Sequence, residues 1–129
     1  MAISRVNPAS TYLESAGANM PLTIIRNGEV LEFRPTRNPI GYYPKEMPFE
    51  NHQVELRKHD MLYLFTDGFS DQLGGPNYQK YKRQNLINLL KSIAGLSMTQ
   101  QENILAASHS DWKGTNEQVD DILVMGIKF

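Results

Sequence analysis

The chain contains no cysteine. Disulfides, thiolate metal sites and cysteine nucleophiles are therefore excluded, and a cysteine-free composition suits a cytoplasmic protein. Long hydrophobic runs are missing too. Nothing approaches the roughly 20 apolar residues that span a bilayer, so no membrane contact by this segment is expected. The opening Met1-Ala2-Ile3-Ser4-Arg5 lacks the apolar core of a secretory signal. Charge of one sign is not in excess either. Lys and Arg number 13 against 14 Asp and Glu, a net charge of −1, which gives bulk electrostatic binding to nucleic acid no basis. The single tryptophan is Trp112, read as core or lid packing or as a partner anchor. There is no internal repeat and no low-complexity tract. The three histidines, His52, His59 and His109, stand in unlike contexts without ligand spacing, so surface or turn roles are expected. Gly74-Gly75-Pro76 lacks the strand–Gly–helix order of a nucleotide-binding fingerprint and reads as a loop.

What is present suits one domain with a modest core: 129 residues, 40% hydrophobic and 21% charged. The first half reads as strands and turns. Ile3–Val6 is a weak strand stopped by Asn7-Pro8, and Thr11–Ala16 is another, ending at Gly17. Leu22–Arg26 turns at Asn27-Gly28 into Glu29–Phe33; Asn-Gly between apolar runs is the strongest short hairpin signal, because both residues tolerate positive φ. Pro35, Pro39, Gly41, Pro44 and Pro48 punctuate a loop. His52–Leu56 alternates like a half-buried strand, Lys58-His59-Asp60 reads as a turn, and Met61–Phe65 is a continuous apolar strand. Leu86, Ile87, Leu89, Leu90 and Ile93 then recur at helical spacing up to Gly95. A second helix is expected from Thr99 to His109, capped by Ser97 or Thr99. Gln79–Gln84, with Lys80, Lys82 and Arg83, reads as a solvated helix start, with phosphopeptide docking as the alternative. Ile122–Phe129 closes the chain as a buried strand. Strands, then helices, then a returning strand describe an α+β protein. The pattern predicts a core of Leu22, Ile24, Val30, Leu31, Leu56, Leu62, Leu64, Leu86, Leu89, Leu90, Ile93, Ile104, Leu105, Ile122, Val124 and Ile127.

The most informative stretch is Met61-Leu-Tyr-Leu-Phe65 running into Thr66-Asp67-Gly68-Phe69-Ser70-Asp71. A second acidic knot, Val119-Asp120-Asp121-Ile122-Leu123-Val124-Met125, has the reverse order, acids first and strand after. Each alone reads as a turn. If the two strands are antiparallel neighbours, Asp67 and Asp120 meet at one edge of a sheet, and clustered carboxylates of this kind hold hard divalent cations.

These two motifs together resemble the metal-dependent serine/threonine protein phosphatases of the protein phosphatase 2C-like superfamily, with the bacterial SpoIIE-like branch as the best fit. Other segments agree in order. Tyr12-Leu13-Glu14-Ser15-Ala16-Gly17-Ala18-Asn19-Met20-Pro21 resembles that branch's Ala-Gly-His-Asn-Pro-Pro signature. Asn27-Gly28 sits where its hairpin turns, Pro39-Ile40-Gly41 resembles its Pro-Leu-Gly segment, and Lys58–Phe65 resembles the run leading to its metal aspartate. The resemblance implies part of an antiparallel β-sandwich flanked by helices. It also implies two Mg2+ or Mn2+ ions per complete domain, which activate water to hydrolyse phosphoserine or phosphothreonine. It makes Asp67 and Asp120 metal ligands, with Gly68, Asp71 and Asp121 as further candidates at the metal site, and gives Gly68 the task of keeping the turn tight. Asp71 falls where some relatives hold a weaker third metal, with capping as the alternative, and Asp121 falls beside the site or at the surface. The loop from Gln72 to Lys82, just after the metal aspartate, is placed to set substrate choice.

One departure dominates. The superfamily's upstream acidic Asp-Gly turn followed by Gly-His-Gly does not occur in these residues. Residues 1–129 are therefore read as the C-terminal portion of a SpoIIE-like phosphatase domain, without its N-terminal strands and first metal-ligand motif. Such a piece is expected to hold metal poorly, to be inactive alone, and to self-associate through unpaired sheet edges. Two smaller departures are Ala18, where many relatives have histidine, and His59, where many have glycine. By resemblance the partner is a phosphorylated regulatory protein, such as an anti-sigma-factor antagonist, within a longer bacterial signalling protein. The competing reading is a non-catalytic protein-binding module on the same scaffold.

Overall fold

The computed structural model describes residues 2–6, 11–17, 20–34 and 48–129. Asn7-Pro8, Ala18 and the Pro39-Ile40-Gly41 segment lie outside them. In chain order the elements are β1 (Ala2–Val6), β2 (Tyr12–Gly17), β3 (Leu22–Arg26), β4 (Glu29–Phe33), β5 (His52–Glu55), β6 (Met61–Phe65), α1 (Gly68–Asp71), β7 (Leu73–Gly74), β8 (Gln79–Lys80), α2 (Arg83–Ile93), α3 (Met98–Lys113) and β9 (Val124–Lys128). This is the expected mixture of helices and antiparallel sheet. The chain divides into two compact units, residues 1–64 with 126–129, and residues 65–125.

The first unit is built on two sheets. One has the order β1-β2-β5 and the other β4-β3-β6-β9. Asn27 (φ 50°) and Gly28 (φ 79°) supply the paired left-handed residues that a two-residue hairpin needs. They set Ile24 opposite Leu31 and Ile25 opposite Val30. On its other side β3 pairs with β6, Ile24 facing Leu62. This central position explains why β3 is buried along most of its length, Thr23 included. Leu13 and Val54 of one sheet share a core with Leu22, Ile24 and Leu62 of the other, together with Leu56. That shared core is the expected sandwich packing.

A polar clasp closes this unit. The Arg26 guanidinium donates from Nε to Asp60 Oδ1 at 2.9 Å and from Nη2 to Asp60 Oδ2 at 2.6 Å and the Glu55 carbonyl at 2.7 Å. The Arg57 amide adds a bond to the same carboxylate. Burial raises the pKa of Asp60, but the hydrogen bonds from Arg26 and the Arg57 amide outweigh it and hold the group below the usual value. His59 adopts the positive φ (75°) that its departure from glycine foreshadows. Its amide donates to Phe129 and the Phe129 amide donates to Asp60, which ties the end of the chain to this turn.

The last strand corrects an expectation. Ile122–Phe129 reads as buried, yet β9 lies at the end of its sheet, and Met125 and Ile127 are exposed, as are the flanking Leu123 and Phe129. Ile127 therefore leaves the predicted core. Apolar composition shows what would gain from burial; it does not supply the surface that buries it. The core also gains members that the pattern omitted, among them Leu13, Val54, Met61, Tyr63 and Phe69.

The second unit holds the helices. α2 buries Leu86, Ile87, Leu90 and Ile93 on one face. Ser97 caps α3 through a reciprocal box with Gln100: the Gln100 amide donates to Ser97 Oγ and the Ser97 amide to Gln100 Oε1. The helix runs to Lys113, four residues past the expected end. Ser108, Ser110 and Asp111 are weak helix formers, and the packing of Trp112 overrides them. Two further readings are corrected. Gly74 is not loop but part of β7, which pairs with β8. Gln79 and Lys80 are strand, and the helix starts only at Arg83, after Lys82 at φ 74°. No helix among the described residues is long and apolar enough to cross a membrane.

Candidate functional site

Phe65 ends β6 as a buried residue, and the chain then exposes two polar junctions side by side within the second unit. Thr66 laces them together. Its amide donates to the Leu123 carbonyl at 3.0 Å. Its hydroxyl donates to the Asp121 carbonyl and accepts from the Leu123 amide, each at 3.0 Å. A hydroxyl has one hydrogen and two lone pairs, so this one side chain binds the returning segment as both donor and acceptor. The segment carrying Asp67 is thereby held against the segment carrying Asp120 and Asp121.

Asp67 precedes α1, but its side chain makes no capping bond. The turn is held instead through the Asp67 carbonyl, which accepts from the Asp71 amide at 2.8 Å and Ser70 Oγ at 2.9 Å. Its carboxylate is exposed and takes no part in holding the turn. Gly68 lies against Asp121: a Cβ there would fall on the Asp121 carbonyl group, whose carbon would be 2.9 Å away. The glycine is required by this close approach, since its φ is not positive. Asp120 is exposed and accepts from the Asp121 amide through Oδ1 at 2.7 Å. Asp121 turns its carbonyl to Thr66 and exposes its side chain. Asp71 pairs with Lys80 at 3.0 Å, across the start and end of the β7–β8 hairpin.

Behind these turns stands an aromatic cluster. Phe69 meets Tyr81 and His109 edge-on, with ring centres 5.1 and 5.2 Å apart, and Tyr81 meets Trp112 at 5.4 Å. Trp112 Nε1 donates to the Gln72 carbonyl, and the indole leaves no space for a side chain at Gly75. His109 is thus not the surface residue expected. Burial, aided by the nearby Lys113 charge, holds its pKa below the usual imidazole value. His52 rests against Phe33 in the first unit, beside the Arg34 carbonyl.

Asp67 and Asp120 offer carboxylate oxygens, the donor type that magnesium and manganese prefer, and Gly68 leaves the approach between their segments open. In kind, the residues fit such an ion. In number they supply two carboxylates: among the described residues no group of three or more His, Asp or Glu is placed to hold a metal. Neither Thr66 nor Gln72 stood out in the sequence. A threonine before Asp-Gly carries a faint signal. Gln72 carries none, because its partner Glu117 lies far along the chain and is engaged through its carbonyl.

The fold is that of the protein phosphatase 2C class. The chain superposes on the SiaA-PP2C domain of Pseudomonas aeruginosa with a TM-score of 0.90 and 28% identity, covering 99% of this chain and 50% of that one. It also matches the phosphatase domain of the cell fate determinant SpoIIE from Bacillus subtilis, in a manganese-presoaked structure. There the TM-score is 0.68 at 17% identity, over 99% of this chain and 55% of that one. More narrowly, the family model described as Stage II sporulation protein E (SpoIIE) matches residues 1–129, so the chain belongs to the SpoIIE family. It spans about half the length of these solved domains. No curated protein sequence matches it.

Proposed function

We propose that this chain is the C-terminal portion of a serine/threonine protein phosphatase domain, with Asp67 and Asp120 as metal ligands. The observation that carries this reading is the lacing of the two acidic junctions through Thr66. Asp67 and Asp120 would hold Mg2+ or Mn2+, which when bound would supply a water of lowered pKa and neutralise charge gathering on the phosphoryl oxygens. Thr66 holds the two ligand segments in register, and Gly68 lets them approach. Asp121 acts through its backbone. The Lys80 ion pair ties Asp71 to the hairpin rather than leaving its carboxylate free. Further ligands come from the rest of the domain, in keeping with the half-length match. The substrate is a phosphorylated regulatory protein, and open sheet edges admit a second copy of the chain.

The test uses the longer parent protein. Phosphate release from phosphoserine peptides in manganese should fall on the order of a hundredfold or more in Asp67→Asn and in Asp120→Asn. Stability should stay within about 0.5 kcal/mol in Asp67→Asn, because that exposed side chain makes no capping bond. Undiminished turnover in either variant would refute the assignment.

A second reading is favoured by one observation. β9 presents Met125 and Ile127 to solvent, an apolar face suited to a partner. A parent protein without phosphatase activity in manganese, but with partner binding lost on Ile127→Asp, would establish this scaffold as a binding module.

A further inference from the structure

We infer that Gln72 is a positioning residue that sets the placement of the Asp120 segment relative to Asp67. This rests on the reading of those two aspartates as the functional pair. Both stand on weakly self-supporting chain. α1 is a single turn of four residues, too short to hold itself, and residues 117–123 have no regular hydrogen-bond ladder of their own. Their geometry must come from cross-segment bonds. Thr66 supplies these on one side. Gln72 supplies the other: its Nε2 donates to the Glu117 carbonyl at 2.8 Å and to the Leu73 carbonyl at 3.0 Å. Asp67 therefore lies between Thr66 and Gln72, and Asp120 lies between Glu117 and Asp121. Each carboxylate is bracketed along the chain by ties to the other's segment.

Gln72 is itself fixed. It is 0% exposed. Its carbonyl accepts from Trp112 Nε1 and from the Tyr81 amide, both at 3.0 Å. Both hydrogens of its side-chain amide are committed, so the side chain cannot turn away without giving up both bonds. Its Oε1 is buried with no partner among the described residues. A core position chosen for packing alone would favour an apolar side chain of this volume. The amide instead donates across to the Glu117 carbonyl, a bond that no apolar side chain can make.

The cysteine-free chain makes the test direct, since thiol labels attach only where cysteine is introduced. Nitroxides on Asp67→Cys and Asp120→Cys report the distance distribution between the two positions by pulsed electron resonance, without metal and without turnover. The labelled chain should give one narrow distribution. Adding Gln72→Met should at least double its width while circular dichroism still shows a folded chain. Gln72→Asn, one methylene too short to reach Glu117, should do the same. Gln84→Met, on the exposed face of α2, should leave the width unchanged. An unaltered width in a folded Gln72 variant would overturn the inference, as would a broad distribution before Gln72 is changed. Global unfolding of both Gln72 variants would also count against it, by marking the residue as a general core element. Loss of phosphatase activity in the parent protein is a separate result and bears only on the functional reading.

Discussion

A methyl group at position 68 would meet the Asp121 carbonyl, whose carbon would lie 2.9 Å from it. Nothing flexible can yield there, because the obstacle is backbone. Gly68→Ala should therefore cost about 1–3 kcal/mol by forcing the two segments apart, read as a lowered urea midpoint. Gly95→Ala is the control: a Cβ there meets nothing within 4 Å, so that change should be neutral or mildly stabilising. Residues at the site differ in how far the sequence betrays them. Asp67, Gly68 and Asp120 announce themselves as an acid–glycine or acid–acid junction on an apolar strand. Thr66 and Gln72 do not, because each acts on backbone atoms of a segment roughly 50 residues away, and a carbonyl leaves no mark in the side-chain code.

Elements are joined by similarly long-range groups. The Arg26–Asp60 pair connects the end of β3, the turn before β6 and, through the Glu55 carbonyl, the end of β5. Asp60 has its folded pKa below its unfolded value of about 4. The stabilisation is then complete above that unfolded value and is lost as pH falls through the folded one. Urea midpoints should drop as the solution is acidified below about pH 5, and Asp60→Asn should flatten that acid limb. At neutral pH the same substitution should cost roughly 3 kcal/mol, since it leaves the largely buried Arg26 charge without its partner. The elements themselves were legible wherever a local rule governs them: the Asn27-Gly28 hairpin, the α2 stripe and the Ser97 cap all stand where the sequence puts them. α3 overran its expected end, and the β7–β8 hairpin displaced a loop, because Trp112 packs over Gly74 and Gly75 and no local signal encodes that contact.

For the whole molecule, the half-length match and the place of β9 at the end of the β4-β3-β6-β9 sheet among the described residues lead to one expectation. Among the described residues β9 ends its sheet, and a strand so placed, with exposed Met125 and Ile127, favours addition of another strand. Light scattering after size-exclusion chromatography should show mass above 14.7 kDa, rising with concentration, and Met125→Lys with Ile127→Lys should return it to the monomer. A concentration-independent monomer in the unaltered chain would remove self-association from the proposal. By itself the amino-acid order determined the longer strands and the two long helices, the two acidic junctions and the phosphatase family, because hydrophobic period, turn chemistry and clustered motifs are local and additive. Tertiary structure alone decided that Thr66 and Gln72 lace the junctions together, that His109 enters an aromatic cluster, and that the closing strand is exposed. Those outcomes depend on which distant backbone groups meet and on which surfaces find a cover, and neither is written in any single stretch of chain.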